Sequence, residues 1–175
     1  MGTLYRHFAT KTALIDAIVD ERFDELADIA RTAAEDDDPW RGFSEFMYSG
    51  VELQVGDRGF KDALSGRIPS ESAIGEARRR LEPCVRALIE RAQKSGDLRP
   101  DLVYEDVAVL FWATARIVES TGDVAPTAWR RFLAISLDGL RPGAATEPPA
   151  PALTNAQYRR AMDRWAEWRG GVRRF

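Results

Sequence analysis

The first twelve residues concentrate side chains that can bind a phosphate or a base edge. Thr3, Tyr5, Arg6 and His7 fall within one short helical turn, and they offer two hydroxyls, a guanidinium and an imidazole. Lys11 adds an ammonium group one turn later. Hydroxyl, guanidinium and ammonium groups make most of the contacts that proteins form with nucleic acids. The pattern therefore indicates a DNA-contacting turn.

Two apolar residues and a helix cap would hold this turn in position. Leu4 and Phe8 are four residues apart, so they lie on one face of a helix and can anchor it to a core. Thr10 stands where an N-cap belongs, immediately before a long run with helical apolar periodicity. We expect a short helix followed by a long one.

The inventory of nucleophiles and metal ligands argues against an enzyme. The chain has one cysteine, Cys84, and one histidine, His7, which excludes an intrachain disulfide and a usual zinc site. A Cys–His pair or a Ser–His–Asp triad would depend on His7, and no glycine-rich phosphate loop is present. We therefore expect a protein that is not an enzyme and needs no cofactor or metal.

The overall charge limits how nucleic acid could be bound. The chain has 25 Lys and Arg residues against 28 Asp and Glu residues, which gives a net charge of -3. A protein that binds nucleic acid over its whole surface is usually basic. Because salt confines a charge to about 10 Å of influence, a local patch at Arg6, His7 and Lys11 remains possible. Neither a membrane span nor a signal peptide is recognisable, so we expect a cytoplasmic protein.

Helical periodicity runs through nearly the whole sequence, and no segment alternates with the period of two that marks a strand. A long helix is predicted from Lys11 to about Glu35. Asp38 followed by Pro39 is typical of an N-cap and a first helical residue, so a second helix is predicted to begin here. It is predicted to end at about Gly56. The fold class is therefore predicted to be all-α.

The middle of the chain predicts two more helices. A short helical piece covers about 60–64, and Ser70 can cap a longer helix that stops at Gly96. Pro83 lies within the apolar stripe of the longer helix. Since proline removes a backbone donor, it should either kink the helix or mark a break.

The last third predicts two core helices, a linker and a final helix. Asp101 is the expected N-cap of one core helix, and the other is expected to start at Pro126. Residues 143–153 are rich in proline and alanine and are typical of a linker. Thr154 and Gln157 form a capping-box pattern that opens the final helix. That helix could pack back on the body or cross to a partner subunit.

The opening motif resembles the TetR family of bacterial transcriptional regulators. In that family Gly-Thr-Leu-Tyr-x-His/Tyr-Phe-x-Ser/Thr-Lys forms the recognition helix and the start of the next helix, and residues 2–11 fit this pattern. Residues 96–101, Gly-Asp-Leu-Arg-Pro-Asp, resemble the turn between its seventh and eighth helices. Residues 129–141 resemble its ninth helix, so the resemblance spans roughly Gly2 to Pro142.

The resemblance implies a TetR-like helical bundle in three regions. Residues 1–35 would be a remnant of the DNA-binding domain, with the recognition helix and a long linking helix. Residues 36–142 would form the ligand-binding and dimerisation domain, and residues 143–175 the linker and C-terminal helix. The implied function is a ligand-responsive regulator, by family default a repressor. It would act as a homodimer that releases operator DNA when a small, largely apolar effector binds.

The resemblance also assigns roles to the opening residues. Thr3 and His7 would face base edges or phosphates, and Tyr5 would contact a phosphate. Lys11 would bind a phosphate beside a helix N-terminus, and Arg6 would add positive charge to the patch. The alternative is a solvated N-terminal turn with no partner.

The family encloses its effector in a cavity between the middle helices, which implies a set of lining residues. The candidates in this chain are Phe43, Phe46, Met47, Phe60, Phe111, Trp112 and Thr114. The alternative for each is simple core packing, which explains most aromatic stripes on helices. Tyr48, Gln54 and Arg116 are polar residues nearby that could orient a ligand.

The family forms its dimer by pairing the last two core helices with their copies in a second subunit. In this chain those helices carry apolar stripes that are wider than one core needs. The candidate interface residues are Val107, Val118, Trp129, Phe132, Leu133, Ser136 and Leu140.

One departure from the family pattern concerns DNA binding. A helix-turn-helix needs a first helix that supports the recognition helix in the groove, and here only Met1 precedes the motif. We therefore expect an N-terminal truncation of the helix-turn-helix that impairs DNA binding by this chain. The alternative function is a stand-alone dimeric helical protein that binds a small molecule and does not bind DNA.

Overall fold

The computed structural model describes residues 11–57, 60 and 73–161, and this part of the chain is helical with no strand. The helices are α1 (Lys11–Ala34), α2 (Pro39–Gly56), α3 (Ala73–Lys94), α4 (Tyr104–Thr121) and α5 (Ala128–Gly139). A 3₁₀ turn follows at Pro142–Ala144, and the chain is helical again over 155–161. The all-α prediction is confirmed.

The long helix α1 packs mainly against α3 and α2. Its buried side chains recur at three- and four-residue spacing, which places them on one face. They are Val19, Phe23, Leu26, Ala27 and Ala30, each at most 2% exposed. The predicted stripe and the predicted end of this helix near residue 35 are therefore confirmed.

Ion pairs join the outer surface of α1 to α3. The Arg80 guanidinium donates to Asp20 Oδ1 at 2.6 Å and to Asp24 Oδ1 at 3.0 Å. All three side chains are at least 40% exposed. Exposed pairs of this kind contribute at most about 1 kcal/mol each.

The start of α2 follows its predicted cap. The Asp38 carboxylate accepts hydrogen bonds of 3.0 Å from the backbone N–H groups of Trp40 and Arg41. Pro39 occupies the first helical position, where its missing N–H would have no partner in the helix. The predicted restart at Asp38 and Pro39 is confirmed.

The backbones of α1 and α2 come into direct contact near Gly42. A Cβ atom at this position would lie 2.2 Å from the carbonyl oxygen of Ala33. Only glycine allows the two helices to approach this closely, because the obstacle is backbone rather than a side chain that could move. Gly42 therefore fixes the crossing of α1 and α2.

Helix α3 runs unbroken through Pro83, so a break at this residue is excluded. The proline is on the exposed face of the helix. Water can therefore satisfy the carbonyl that lacks an N–H partner.

Gly96 ends α3, as predicted, with a backbone φ of +80°. This left-handed conformation is accessible to glycine at no steric cost. The N–H groups of Asp97 and Leu98 both donate to the Ala92 carbonyl at 3.1 Å. Across the turn, Gln93 Nε2 donates hydrogen bonds to the backbone carbonyls of residues 99 and 102, at 3.1 and 3.0 Å.

The predicted N-cap at Asp101 is wrong. Helix α4 has its N-cap at Val103, whose N–H donates to the Asp106 carboxylate at 3.1 Å. Asp101 instead pairs with Arg99 at 2.7 Å. The Asp106 carboxylate, three residues after the N-cap, thus provides the side-chain hydrogen bond at the start of α4, and Val103 has no side chain that could do so.

The last core helix begins later than predicted. Pro126 lies in a turn, and α5 starts at Ala128 with Thr127 at the N-cap position. The Ala128 N–H closes that turn by donating to the Ala125 carbonyl at 3.0 Å.

The predicted capping box at the final helix is confirmed. The Thr154 N–H donates to Gln157 Oε1 at 2.9 Å, and the Gln157 N–H donates to Thr154 Oγ1 at 3.2 Å. The helix is described over 155–161.

Two other predictions reach beyond the described residues. Phe60 is helical and fully buried, but the rest of the short helix predicted at 60–64 lies outside the described part of the chain. The predicted cap at Ser70 lies outside it as well.

We predict that Gly42→Ala lowers the free energy of unfolding by about 1–3 kcal/mol, because the new methyl group overlaps the Ala33 carbonyl. Urea denaturation followed by circular dichroism measures this change. Gly56→Ala is the matched control, since a Cβ there meets no atom within 4 Å. The control should leave stability unchanged or raise it by up to about 1 kcal/mol. Equal urea midpoints for Gly42→Ala and the wild type would contradict the close crossing.

Candidate functional site

A narrow apolar cavity lies where α1, α2, α3 and α4 meet. Its free volume is about 20 Å³, which is room for roughly one water molecule. Six aromatic residues contribute to its walls: Phe23, Phe46, Tyr104, Phe111, Trp112 and Tyr158. Arg78 and aliphatic side chains of α1, α3 and α4 complete the lining.

Edge-to-face contacts order the aromatic walls. The rings of Phe46 and Phe111 meet at 90° with their centroids 5.8 Å apart. Phe23 makes a similar contact with Phe60 at 5.3 Å and 82°. Such pairs add about 0.5–1.5 kcal/mol beyond the area that they bury, so the rings are held in defined orientations.

Gly50 allows Phe111 to reach α2. A Cβ at Gly50 would lie 2.7 Å from two atoms of the Phe111 ring and 3.1 Å from Leu26 Cδ1. The ring of α4 therefore occupies space that a side chain on α2 would otherwise fill. This contact closes the cavity on the α2 side.

Polar groups lie at one edge of the cavity. Glu105 is only 5% exposed, and it accepts hydrogen bonds from Arg86 at 3.4 Å and from Asn155 at 3.2 Å. The Arg86 guanidinium lies 5.3 Å from the centroid of the Tyr104 ring. Burial raises the pKa of both Tyr104 and Tyr158, so both hydroxyls stay protonated at neutral pH.

Gln54 is a buried amide without a hydrogen-bond partner. Its side chain is 1% exposed, and within the described structure neither Nε2 nor Oε1 is bonded. Phe46, Gly50 and Gln54 follow one another at four-residue steps, so they lie on one face of α2. Leaving such a group unpaired costs about 1–3 kcal/mol. Gln54 is not among the lining residues of the cavity, so this unpaired amide belongs to the core.

The structure brings three of the seven predicted ligand residues to the cavity. Phe46, Phe111 and Trp112 line it. The other four belong to the core and are not among the lining residues: Phe43, Met47, Phe60 and Thr114. The Thr114 hydroxyl donates to the Leu110 carbonyl at 2.8 Å within its own helix.

Sequence reasoning missed Tyr104, Tyr158 and Arg78 as lining residues. Tyr158 had a detectable signal, because it is an aromatic residue between the polar residues Gln157 and Arg159. Tyr104 stands at the start of α4, where apolar periodicity carries little information.

The predicted DNA-contacting residues Thr3, Tyr5, Arg6 and His7 lie outside the described residues. Lys11 is the first residue of α1, but its side chain also lies outside the description.

The predicted dimer residues divide into three groups by exposure. Val107, Trp129 and Leu133 are at most 3% exposed within the protomer, because neighbouring helices already cover them. Phe132 is 49% exposed, and Ile135, three residues along the same helix, is 55% exposed. The remaining residues are half-buried: Val118, Ser136 and Leu140.

The described residues contain no group of three or more side chains that could bind a metal ion. None of the helices in these residues has the length and apolar character needed to cross a membrane.

We predict that Gln54→Leu raises the free energy of unfolding by about 1–2 kcal/mol, because it replaces two unpaired buried atoms with apolar ones of similar volume. Gln93→Leu is the matched control. It should lower stability by a similar amount, because the Gln93 amide makes two hydrogen bonds. Urea unfolding curves compare the two variants. A loss of stability in Gln54→Leu as large as that in Gln93→Leu would show that Gln54 is bonded.

Comparison with known proteins gives consistent results. Residues 38–142 match the TetR C-terminal domain family described as transcriptional regulator SbtR-like, C-terminal domain. The structure is similar to the crystal structure of the TetR transcriptional regulator SCO0520 from Streptomyces coelicolor, with a TM-score of 0.63 and 26% sequence identity. The match covers 81% of this chain and 80% of the other. No curated protein matches the sequence.

The family match covers α2, α3 and α4, which form most of the cavity, and continues through α5 to the 3₁₀ turn. It confirms the resemblance that the opening motif indicated. The chain belongs to the TetR family of transcriptional regulators.

Proposed function

We propose that this protein represses transcription by binding operator DNA and releases it when a small ligand enters the cavity between α1 and α4. The observation that carries this proposal is that α1 connects the two regions. It begins at Lys11, at the end of the DNA-contacting motif, and lines the cavity through Phe23 and Leu26. A regulator of this kind would act in the cytoplasm.

The length of α1 supports a mechanical connection. Lys11 and Phe23 are twelve residues apart, which corresponds to about 18 Å along a helix. A ligand that displaces Phe23 therefore moves a continuous helical rod whose other end carries the DNA-contacting residues. The ligand acts only if it binds one position of α1 more tightly than the other.

The lining indicates the character of the ligand. Most of the walls are aromatic or aliphatic, while Arg78 and the hydroxyls of Tyr104 and Tyr158 are the polar groups among the lining residues. A mainly apolar compound with one or two polar groups fits this combination. Since the cavity is small, ligand binding must be accompanied by movement of a wall.

The DNA-contacting role is assigned to Thr3, Tyr5, Arg6, His7 and Lys11. A mobility-shift assay with DNA from upstream of the coding sequence tests it at low salt. Lys11→Ala should weaken binding and make the negative slope of log affinity against log salt less steep by about one. Lys94→Ala is the control, because Lys94 is exposed at the far end of α3 and should leave both quantities unchanged.

The assay includes this chain and a version extended with the residues encoded upstream of Met1. If neither binds the upstream DNA, the repressor proposal fails. Ligand binding without any DNA binding would then support the alternative of a small-molecule-binding protein.

The dimer is proposed to form through the exposed face of α5. Phe132 and Ile135 are three residues apart and about half exposed, which leaves an apolar patch for the copy of α5 in the second subunit. Burying them against each other would stabilise the dimer by removing apolar surface from water.

We predict that Phe132→Glu converts the dimer to a monomer at micromolar concentration, because the interface would place two carboxylates in apolar surroundings. Light scattering after gel filtration measures the mass. Val124→Glu is the control, since Val124 is 84% exposed in the loop between α4 and α5. A monomeric wild type would overturn this interface.

A further inference from the structure

The C-terminal segment returns to the cavity after the end of the family match. We propose that the Tyr158 ring occupies a ligand position at the opening of the cavity, and that a planar aromatic ligand binds by displacing this ring from Trp112. This inference rests on the proposed function in one respect, which is that the same cavity receives the effector.

Tyr158 is buried although its neighbours are exposed. Its side chain is 6% exposed, whereas Gln157 and Arg159 on either side are exposed. The Tyr158 ring stacks on Trp112 with a centroid distance of 5.2 Å and an interplanar angle of 21°. Among the lining residues that the structure describes, Tyr158 alone comes from outside α1–α4.

Within the described residues 155–161, Tyr158 is the one buried side chain, and few hydrogen bonds join the segment to the core. Asn155 donates to the buried Glu105 carboxylate at 3.2 Å, and the capping box bonds are internal to the segment. Residues 146–154 before it are exposed, with the Thr146 carbonyl bonded to Arg99 at 2.9 Å. A segment with few buried contacts opens at low free energy compared with the core.

The size of the cavity makes departure of Tyr158 the simplest route for entry. A free volume of about 20 Å³ cannot accept a drug-sized compound. The other walls belong to helices of the core, where the rings of Phe46 and Phe111 pack edge to face. Within the described residues, moving Tyr158 requires that the segment over 155–161 leave Trp112 and give up the bond from Asn155 to Glu105.

The site that Tyr158 would vacate selects the ligand class. It offers the face of Trp112, the protonated hydroxyl of Tyr104 and the guanidinium of Arg78, all of which are lining residues. Aromatic rings prefer stacked or edge-to-face partners at this spacing. A fused aromatic ring with one hydroxyl group reproduces the features of the tyrosine that it replaces.

The experiment titrates the 175-residue chain with 2-naphthol and follows the fluorescence of the naphthol. For a ligand that competes with Tyr158, the apparent affinity is the intrinsic affinity multiplied by the fraction of molecules in which the segment is open. Tyr158→Ala should therefore bind 2-naphthol about two- to tenfold more tightly than the wild type. Adding Trp112→Ala to Tyr158→Ala should remove that gain.

Tyr48→Ala is the matched control, because Tyr48 packs near Trp129 and is not among the lining residues. Its affinity for 2-naphthol should equal that of the wild type. Asn155→Ala keeps the ring and removes the bond to Glu105, so it should also tighten binding, though by less. Circular dichroism verifies that each variant is folded, and Asn155→Ala decides the matter if Tyr158→Ala does not fold.

Equal 2-naphthol affinity in the folded variants and the wild type would overturn the proposal, as would failure of all of them to bind. The mobility-shift assay is scored separately on the wild type. Loss of the repressor function there would leave a gain in naphthol affinity unaffected, so the two failures are distinguishable.

Discussion

The backbones of α1 and α2 touch where Gly42 lies against the Ala33 carbonyl, and the positions of the other helices follow from this crossing. With the two helices this close, Leu26 of α1 and Gly50 of α2 meet the ring of Phe111 from α4. The same crossing directs Phe46 toward that ring. Two glycines eight residues apart on α2 thus determine where the cavity forms and how little space it contains.

Hydrophobic packing alone does not explain two buried polar side chains, Glu105 and Gln54. Glu105 is buried but bonded to Arg86 and Asn155, so its burial is compensated. Gln54 is equally inaccessible, and no bond to its amide is found in the described residues. A core selected only for stability would replace such an amide with an apolar residue. Gln54 is therefore a position where stability is not at its maximum.

Local signals in the sequence predicted local structure well. Asp38 with Pro39, Gly96, and Thr154 with Gln157 each specify a helix end through bonds to residues at most four positions away, and all were confirmed. The start of α4 was mispredicted because two carboxylates, Asp101 and Asp106, compete for one helix end. Only the ion pair between Asp101 and Arg99 decides between them.

Contacts between distant parts of the chain could not be predicted in the same way. Periodicity indicates that Val107 and Leu133 face inward, but it does not say whether a neighbouring helix or a second subunit covers them. The stacking of Tyr158 on Trp112 joins residues 46 positions apart, and no local pattern encodes it. For this reason the cavity walls were only partly predicted, and the residue at the mouth was missed.

The two ends of α1 are restrained in different ways. Near its C-terminal end, backbone contact at Gly42 acts as a pivot that tolerates almost no displacement. Toward the N-terminal half, exposed ion pairs from Arg80 to Asp20 and Asp24 are screened by salt and easily rearranged. The distance from Ala33 to Lys11 is about 33 Å along the helix axis. A tilt of about 5° at the pivot would therefore shift the Lys11 end by about 3 Å, so a small rotation at this crossing becomes a much larger displacement where α1 begins.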